Sequence, residues 1–304
     1  MDVAALARIV LTLLAMVGVG WLLRAARVLS ADDATPIHAV IIYVGLPALI
    51  FQAVHPASLD PELAIVAVIA WVVFAVTAAT AWLITRALRL PNRIAGGFIL
   101  AGSLGNTGYI GYPVSQTILG DAGLVRAIFY DVFGTVGALL AVGLLIAQRY
   151  GDRVGPRINI LSEILRFPAV LALLAALALR PFPVPEAVSS GLDALASLVV
   201  PLIMISVGLS LQVKRLGERP LVLGALGAVR LLLAPLVALA IGGLLLDDPA
   251  AVRLVALEAG MPVMMLTIVI GARFGLDTEF LAAAVVLTTI ASVATIPLVQ
   301  ILAG

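Results

Sequence analysis

The chain has 304 residues, of which 63% are hydrophobic and 12% charged, against about half and a quarter in an ordinary soluble domain. Such a chain cannot cover itself with a polar shell, so lipid must be its solvent over much of its surface. The net charge of +1 comes with no basic run, no cysteine and only two histidines, which excludes nucleic-acid binding by a basic tract, disulfides, thiolate catalysis and cysteine metal sites.

A helix crosses a hydrocarbon core of about 30 Å with about 20 residues. Charge-poor runs of that order follow one another along the chain: Val3 to Leu23, Ile37 to Val54, Leu63 to Thr85, Ile94 to Leu119 and Ala127 to Gln148. A short sixth run, Phe167 to Leu179, is extended by Ser162 to Arg166. Leu192 to Val213, Pro220 to Leu246, Ala251 to Ala272 and Phe280 to Ala303 complete the series. The prediction is an all-α membrane protein of ten transmembrane helices with no soluble domain. The first run reads as a helix rather than a cleaved signal peptide: it is long, holds Arg8, and no small-residue cleavage site follows it.

Lys and Arg set the orientation. Arg24 and Arg27, then Arg86, Arg89 and Arg93, then Arg149, Arg153, Arg157 and Arg166, then Lys214, Arg215 and Arg219, and finally Arg273 fall in alternate loops. The intervening loops carry Asp60, Glu62, Asp121, Asp247 and Asp248. The basic loops are therefore expected in the cytoplasm and both termini outside, in the periplasm if the membrane is a bacterial inner membrane.

The halves of the chain correspond. Pro47 and Pro201 lie 154 residues apart in segments two and seven, and Pro113 and Pro262 lie 149 apart in segments four and nine. This predicts a five-helix unit used twice, residues 1–150 and 160–304, joined by a cytoplasmic linker at 151–159. Five is odd, so the second copy is inverted, an arrangement common among secondary transporters with a midplane site between broken helices. Proline also merely bends many transmembrane helices, and that simpler role suits Pro47 and Pro201 better than Pro113 and Pro262.

Segment four reads Ala101-Gly-Ser-Leu-Gly-Asn-Thr-Gly-Tyr-Ile-Gly-Tyr-Pro113, poor helix-forming sequence. Pro113 is expected to free carbonyls near Tyr109. Asn106 and Thr107 follow Arg93 by about 13 residues, so they lie roughly 20 Å into the membrane. Freed backbone at that depth needs protein or a wet cavity around it, and half-helix ends there offer donors to anions and carbonyls to cations. A glycine packing face explains the glycines but not Asn106, Thr107 and Pro113 together. In segment nine Glu258 precedes Pro262 by four residues, about one turn. An acid within a span is costly and usually functional, unless the span starts late and Glu258 sits among headgroups. Asp131 in segment five and Arg230 in segment eight are two further charges at membrane depth; Arg230 suits either a substrate carboxylate or a structural partner. No His-Glu-x-x-His, no complete Gly-x-Ser-x-Gly and no phosphate-binding Gly-x-x-x-x-Gly-Lys occurs, which disfavours a metalloprotease, a serine hydrolase and a built-in ATPase.

Asn106-Thr-Gly-Tyr-Ile-Gly-Tyr-Pro113 resembles the Asn-Thr-x-x-x-Gly-x-Pro pattern of the auxin efflux carrier family, which includes bacterial permeases for malate, malonate and similar acids. Met261-Pro262, followed by Ile270-Gly-Ala-Arg-Phe-Gly-Leu-Asp277, is similar to that family's ninth helix and the loop behind it. The resemblance covers the whole chain. It implies a crossing pair of broken helices, the fourth and ninth, with substrate bound beside the crossing at Asn106, Thr107, Pro113 and Pro262. The chain lacks the long central loop of the plant carriers. Its Glu258-Ala-Gly-Met261 is similar to a stretch of the bile acid:sodium symporters, a related fold in which the glutamate helps hold sodium.

The resulting expectation is a secondary active transporter of a small organic anion, rocking one bundle against another, with a passive channel as the alternative and an intramembrane enzyme as the less favoured one. The candidate substrate residues are Asn106, Thr107, Tyr112, Pro113, Gln116, Met261, Pro262 and Arg230. Glu258, Asn106 and Asp131 are the candidate coupling residues, and Glu258, Asn106 and Thr107 the candidate sodium ligands, with a proton as the other coupling ion. No cofactor is expected; the partners are the anion and lipid, with a homodimer left open. The topology has a direct test. Single cysteines at Asp60, Asp121 and Asp247 should react with an impermeant thiol reagent from outside, whereas those at Arg89, Arg153 and Lys214 should not; external labelling of Arg153→Cys contradicts the inverted arrangement.

Overall fold

Within residues 3–30, 32–153, 159–210 and 219–303, which the computed structural model describes, the charge-poor runs of the sequence are helical over most of their length. Arg157, Lys214, Arg215 and most of the expected linker lie outside those residues. The helices are α1 (Val3–Ala25), α2 (Ala34–Val54), α3 (Glu62–Ala87), α4 (Asn92–Ser103), α5 (Thr107–Tyr150), α6 (Ile160–Arg166), α7 (Pro168–Leu179), α8 (Glu186–Leu209), α9 (Pro220–Leu245), α10 (Pro249–Ala259), α11 (Leu266–Phe274) and α12 (Thr278–Leu302). Among the described residues, six of them are long and apolar enough to cross a membrane, namely α2, α3, α5, α8, α9 and α12, and the only β pairing is one isolated bridge. The protein is an all-helical, multi-pass membrane protein. Large apolar side chains such as Leu221 and Leu244 stand exposed on it, as a lipid-facing surface requires.

Local chemistry sets the helix limits. Pro220 and Pro249 occupy first turns, where a missing N–H costs nothing. Asp248 and Asp277 cap α10 and α12, accepting from the backbone of Ala250 and Phe280. Gly275 ends α11 with φ at +80°, the left-handed conformation that glycine adopts without strain. Gly120, with φ at +70°, turns the long run of α5 so that its two parts are separate helices. Short π-turns interrupt the regular helix at Ile41–Gly45, Thr107–Gly111, Tyr130–Val136, Leu139–Gly143 and Val229–Leu233.

The chain forms two compact units that do not follow its halves. One takes Met1–Leu59, Gln116–Val125 and Ile164–Leu211; the other takes Asp60–Ser115, Arg126–Glu163 and Gln212–Gly304. In the first, α1 and α8 approach so closely that a side chain on Gly20 would meet the backbone of Ile205, and one on Gly208 the backbone of Val17. Small residues permit that approach where no hydrophobic force acts between helices. In the second, Gly134 of α5 sits against Ala70 of α3, and the Trp71 indole donates to the Phe133 carbonyl at 2.9 Å. Arg126 pairs with Asp248 at 2.5 Å and with Glu62 at 3.5 Å, tying α5 to the start of α10 and of α3.

Candidate functional site

Two helices of the second unit stop inside it and resume after a short extended stretch. α4 ends at Ser103 and α5 begins at Thr107; α10 ends at Ala259 and α11 begins at Leu266. The first break therefore lies upstream of Pro113, which follows the π-turn Thr107–Gly111 within α5. Pro262, in contrast, lies within its break.

The two breaks satisfy each other. Gly105 and Val263 form an antiparallel bridge. The Asn106 amide donates to the Pro262 carbonyl at 2.7 Å and the Met264 amide to the Leu104 carbonyl at 3.0 Å. The Val263 amide donates to the Thr288 hydroxyl of α12 at 3.1 Å. The Asn106 carbonyl accepts from Ile110 and Gly111. Every one of these groups would otherwise cost free energy in a hydrocarbon interior.

Three charged side chains are buried among the described residues: Asp131, Arg230 and Glu258. Asp131, on the π-turn of α5, accepts from the Thr107 hydroxyl and, at 2.7 Å, from the Tyr112 hydroxyl. Its carboxylate packs on Gly108. Glu258 has 0% exposure, which places it in the core and not among headgroups. Ser115 donates to one of its oxygens at 2.6 Å, and the other has no partner. That carboxylate lies on Gly111, where any side chain would collide with it. Arg230 donates to the carbonyls of Ser103, at 3.1 Å, and of Ala259. The side-chain nitrogen of buried Asn106 has no partner either.

The structure thus brings Asn106, Thr107, Tyr112, Glu258, Asp131, Met261, Pro262 and Arg230 into one unit, around the two breaks. Gln116 belongs to the other unit, where its amide donates to Asp121 at 3.2 Å. Ser115 and Thr288 escaped the sequence reading. Ser115 follows Gly111 by four residues and so shares its helix face; that spacing was the available signal. Nothing in the sequence points to Thr288.

Residues 6–155 and 156–300 match a family described as Membrane transport protein. The chain belongs to this family, that of the auxin efflux carriers. Among its relatives in the family is an uncharacterized transporter of Methanothermobacter thermautotrophicus, 32% identical over 95% of each chain. Another is an uncharacterized transporter of Methanocaldococcus jannaschii, 30% identical over 95% of this chain and 96% of the relative. A protein of Rhizobium meliloti named "Putative malonate transporter" is 28% identical over 86% of this chain and 84% of its own length.

The contact between Gly111 and Glu258 is testable without knowing the solute. Gly111→Ala should cost about 1–3 kcal/mol, because the added methyl meets the carboxylate. In an Glu258→Ala background the same change should cost much less, a coupling that thermal unfolding of the four proteins measures. Equal penalties in both backgrounds would remove the contact.

Proposed function

We propose that this member of the auxin efflux carrier family is a secondary active transporter of a small organic anion in the cytoplasmic membrane. In this reading ten transmembrane helices form two inverted five-helix repeats with both termini outside. Segments four and nine are each two half-helices, which is why neither reaches spanning length alone. Two features support the repeat. Segments one, two, six and seven fall in one unit and the other six, apart from the end of segment four from Gln116 on, in the second, so each segment of the first half shares a unit with its counterpart five places later. The family match also divides at residues 155 and 156, inside the expected linker.

The observation that carries the reading is a pair of unmet hydrogen-bonding needs flanking the π-turn Thr107–Gly111. Asn106 has a buried donor with no acceptor, and Glu258 a buried acceptor with no donor. An unmade bond of this kind typically costs about 1–3 kcal/mol. A solute carboxylate satisfies the donor; a proton or a monovalent cation satisfies the acceptor. Cotransport of an anion with a cation completes both. The oxygens of Glu258, together with the Thr107 hydroxyl and the Asn106 side chain, are of the hard kind that sodium takes, and a carboxylate equally carries a proton. Asp131, already accepting from Thr107 and Tyr112, is the second acid of the coupling set. Pro113, Met261 and Pro262 shape the breaks. The relative named for malonate points to a short carboxylate as the solute.

Uptake into proteoliposomes tests the proposal. Malonate and related acids should accumulate above the external concentration under a sodium or a proton gradient and saturate with substrate. Asn106→Ala should cut uptake by about tenfold or more, as expected for one lost bond, while inserting normally. Glu258→Gln should abolish the dependence on the coupling ion: stimulation by sodium if sodium is the ion, pH dependence if it is the proton. Flux linear in concentration with no accumulation would instead support a channel. Full concentrative uptake by Asn106→Ala would exclude this site.

A further inference from the structure

Arg230 sits where a positive charge is wanted for reasons of backbone electrostatics alone. The last turn of a helix carries about half a negative charge at its free carbonyls. α4 ends at Ser103 and α10 at Ala259, and one guanidinium donates to the carbonyl of each terminal residue. Together the two ends amount to about one elementary charge, and Arg230 supplies its counterpart. The planar fork of arginine reaches two acceptors at once; an ammonium is a point charge.

The surroundings fit this role better than substrate contact. Arg230 is 2% exposed. Among the described residues it makes no ion pair with a carboxylate. Gly105 passes so close that a side chain there would lie 3.3 Å from the guanidinium carbon. The cavity beside it, lined by Phe74, Gly105, Thr107 and Tyr130, has room for about one water. The side chain comes from the π-turn Val229–Leu233, a local widening that occurs often at functional sites.

We propose that Arg230 is a tethered cation: its guanidinium fills a cation site built from the C-terminal carbonyls of two half-helices, and a chain lacking the side chain binds a free guanidinium ion there. The site exists whichever solute the protein carries. It gives the crossing a resident positive charge in the same unit as two buried acids, Asp131 and Glu258.

Chemical rescue tests this on the purified protein by thermal unfolding, with no solute required. Arg230→Ala should unfold at a lower temperature than the wild type. Guanidinium at about 10 mM should raise the variant's unfolding temperature by about 2 °C or more, through binding to the folded state, and should not raise that of the wild type. Urea, neutral and of the same shape, should do nothing. Recovery with urea as well would mean that filled volume and not charge is restored, and absence of recovery with guanidinium would remove the cation site; either overturns the proposal. If Arg230→Ala does not survive purification, Arg230→Lys and Arg230→Met are compared. The proposal requires the lysine variant to be the more stable by several degrees, and equal stability would overturn it.

Discussion

A backbone amide inside a membrane has no water to turn to, and a helix that stops there must find other partners for its ends. The architecture of the second unit follows from meeting that demand twice at one place. Two helices break, and the extended residues of each break are what the other needs: Asn106 donates to Pro262, and Met264 donates to Leu104. Thr288 takes up the Val263 amide. Gly105 allows the two strands and the guanidinium of Arg230 to come together without a side chain between them. The backbone of the two breaks thus closes on itself, while the side chains of Asn106, Glu258 and Arg230 each keep one polar atom without a partner.

The charged groups are arranged around it on distorted helix. Thr107, Asp131 and Arg230 all lie on π-turns, each a place where an extra residue widens the helix and re-aims a side chain. Asp131 accepts from two hydroxyls and Arg230 donates to two carbonyls, with only its Nε left without a partner. Glu258 is engaged on one oxygen only. A fully satisfied group rigidifies its surroundings, whereas a half-satisfied one stores an unmet need. Because of that unmet need, the proposed transport cycle assigns Glu258 and Asn106 the working role.

Much of this was legible in the amino-acid order. Hydropathy exposed the helices, because only long apolar runs are tolerated in lipid. The Asn106 to Pro113 stretch and Glu258 stood out because glycine, an amide and an acid are each expensive within a span. The position of the first break was not legible. Pro113 drew attention as a helix breaker, but the helix runs on through it, and the chain opens earlier, at Leu104 to Asn106. Contacts between distant segments were equally hidden: nothing in the position of Arg230 along the chain shows that it reaches the carbonyls of Ser103 and Ala259, and Ser115 is one serine among many until Glu258 is placed. π-turns leave no pattern at all, since they change hydrogen-bond register and not residue type.

The account stands on the claim that solute passes through the crossing. Met265, partly exposed in the second break, offers a reporter there, and the chain has no native cysteine to interfere. The decisive measurement is the rate at which Met265→Cys in proteoliposomes reacts with a small impermeant thiol reagent, with and without a saturating concentration of an acid that drives uptake. The account predicts reaction from either side of the membrane and protection by the acid. An unchanged rate in a variant that still transports would contradict it.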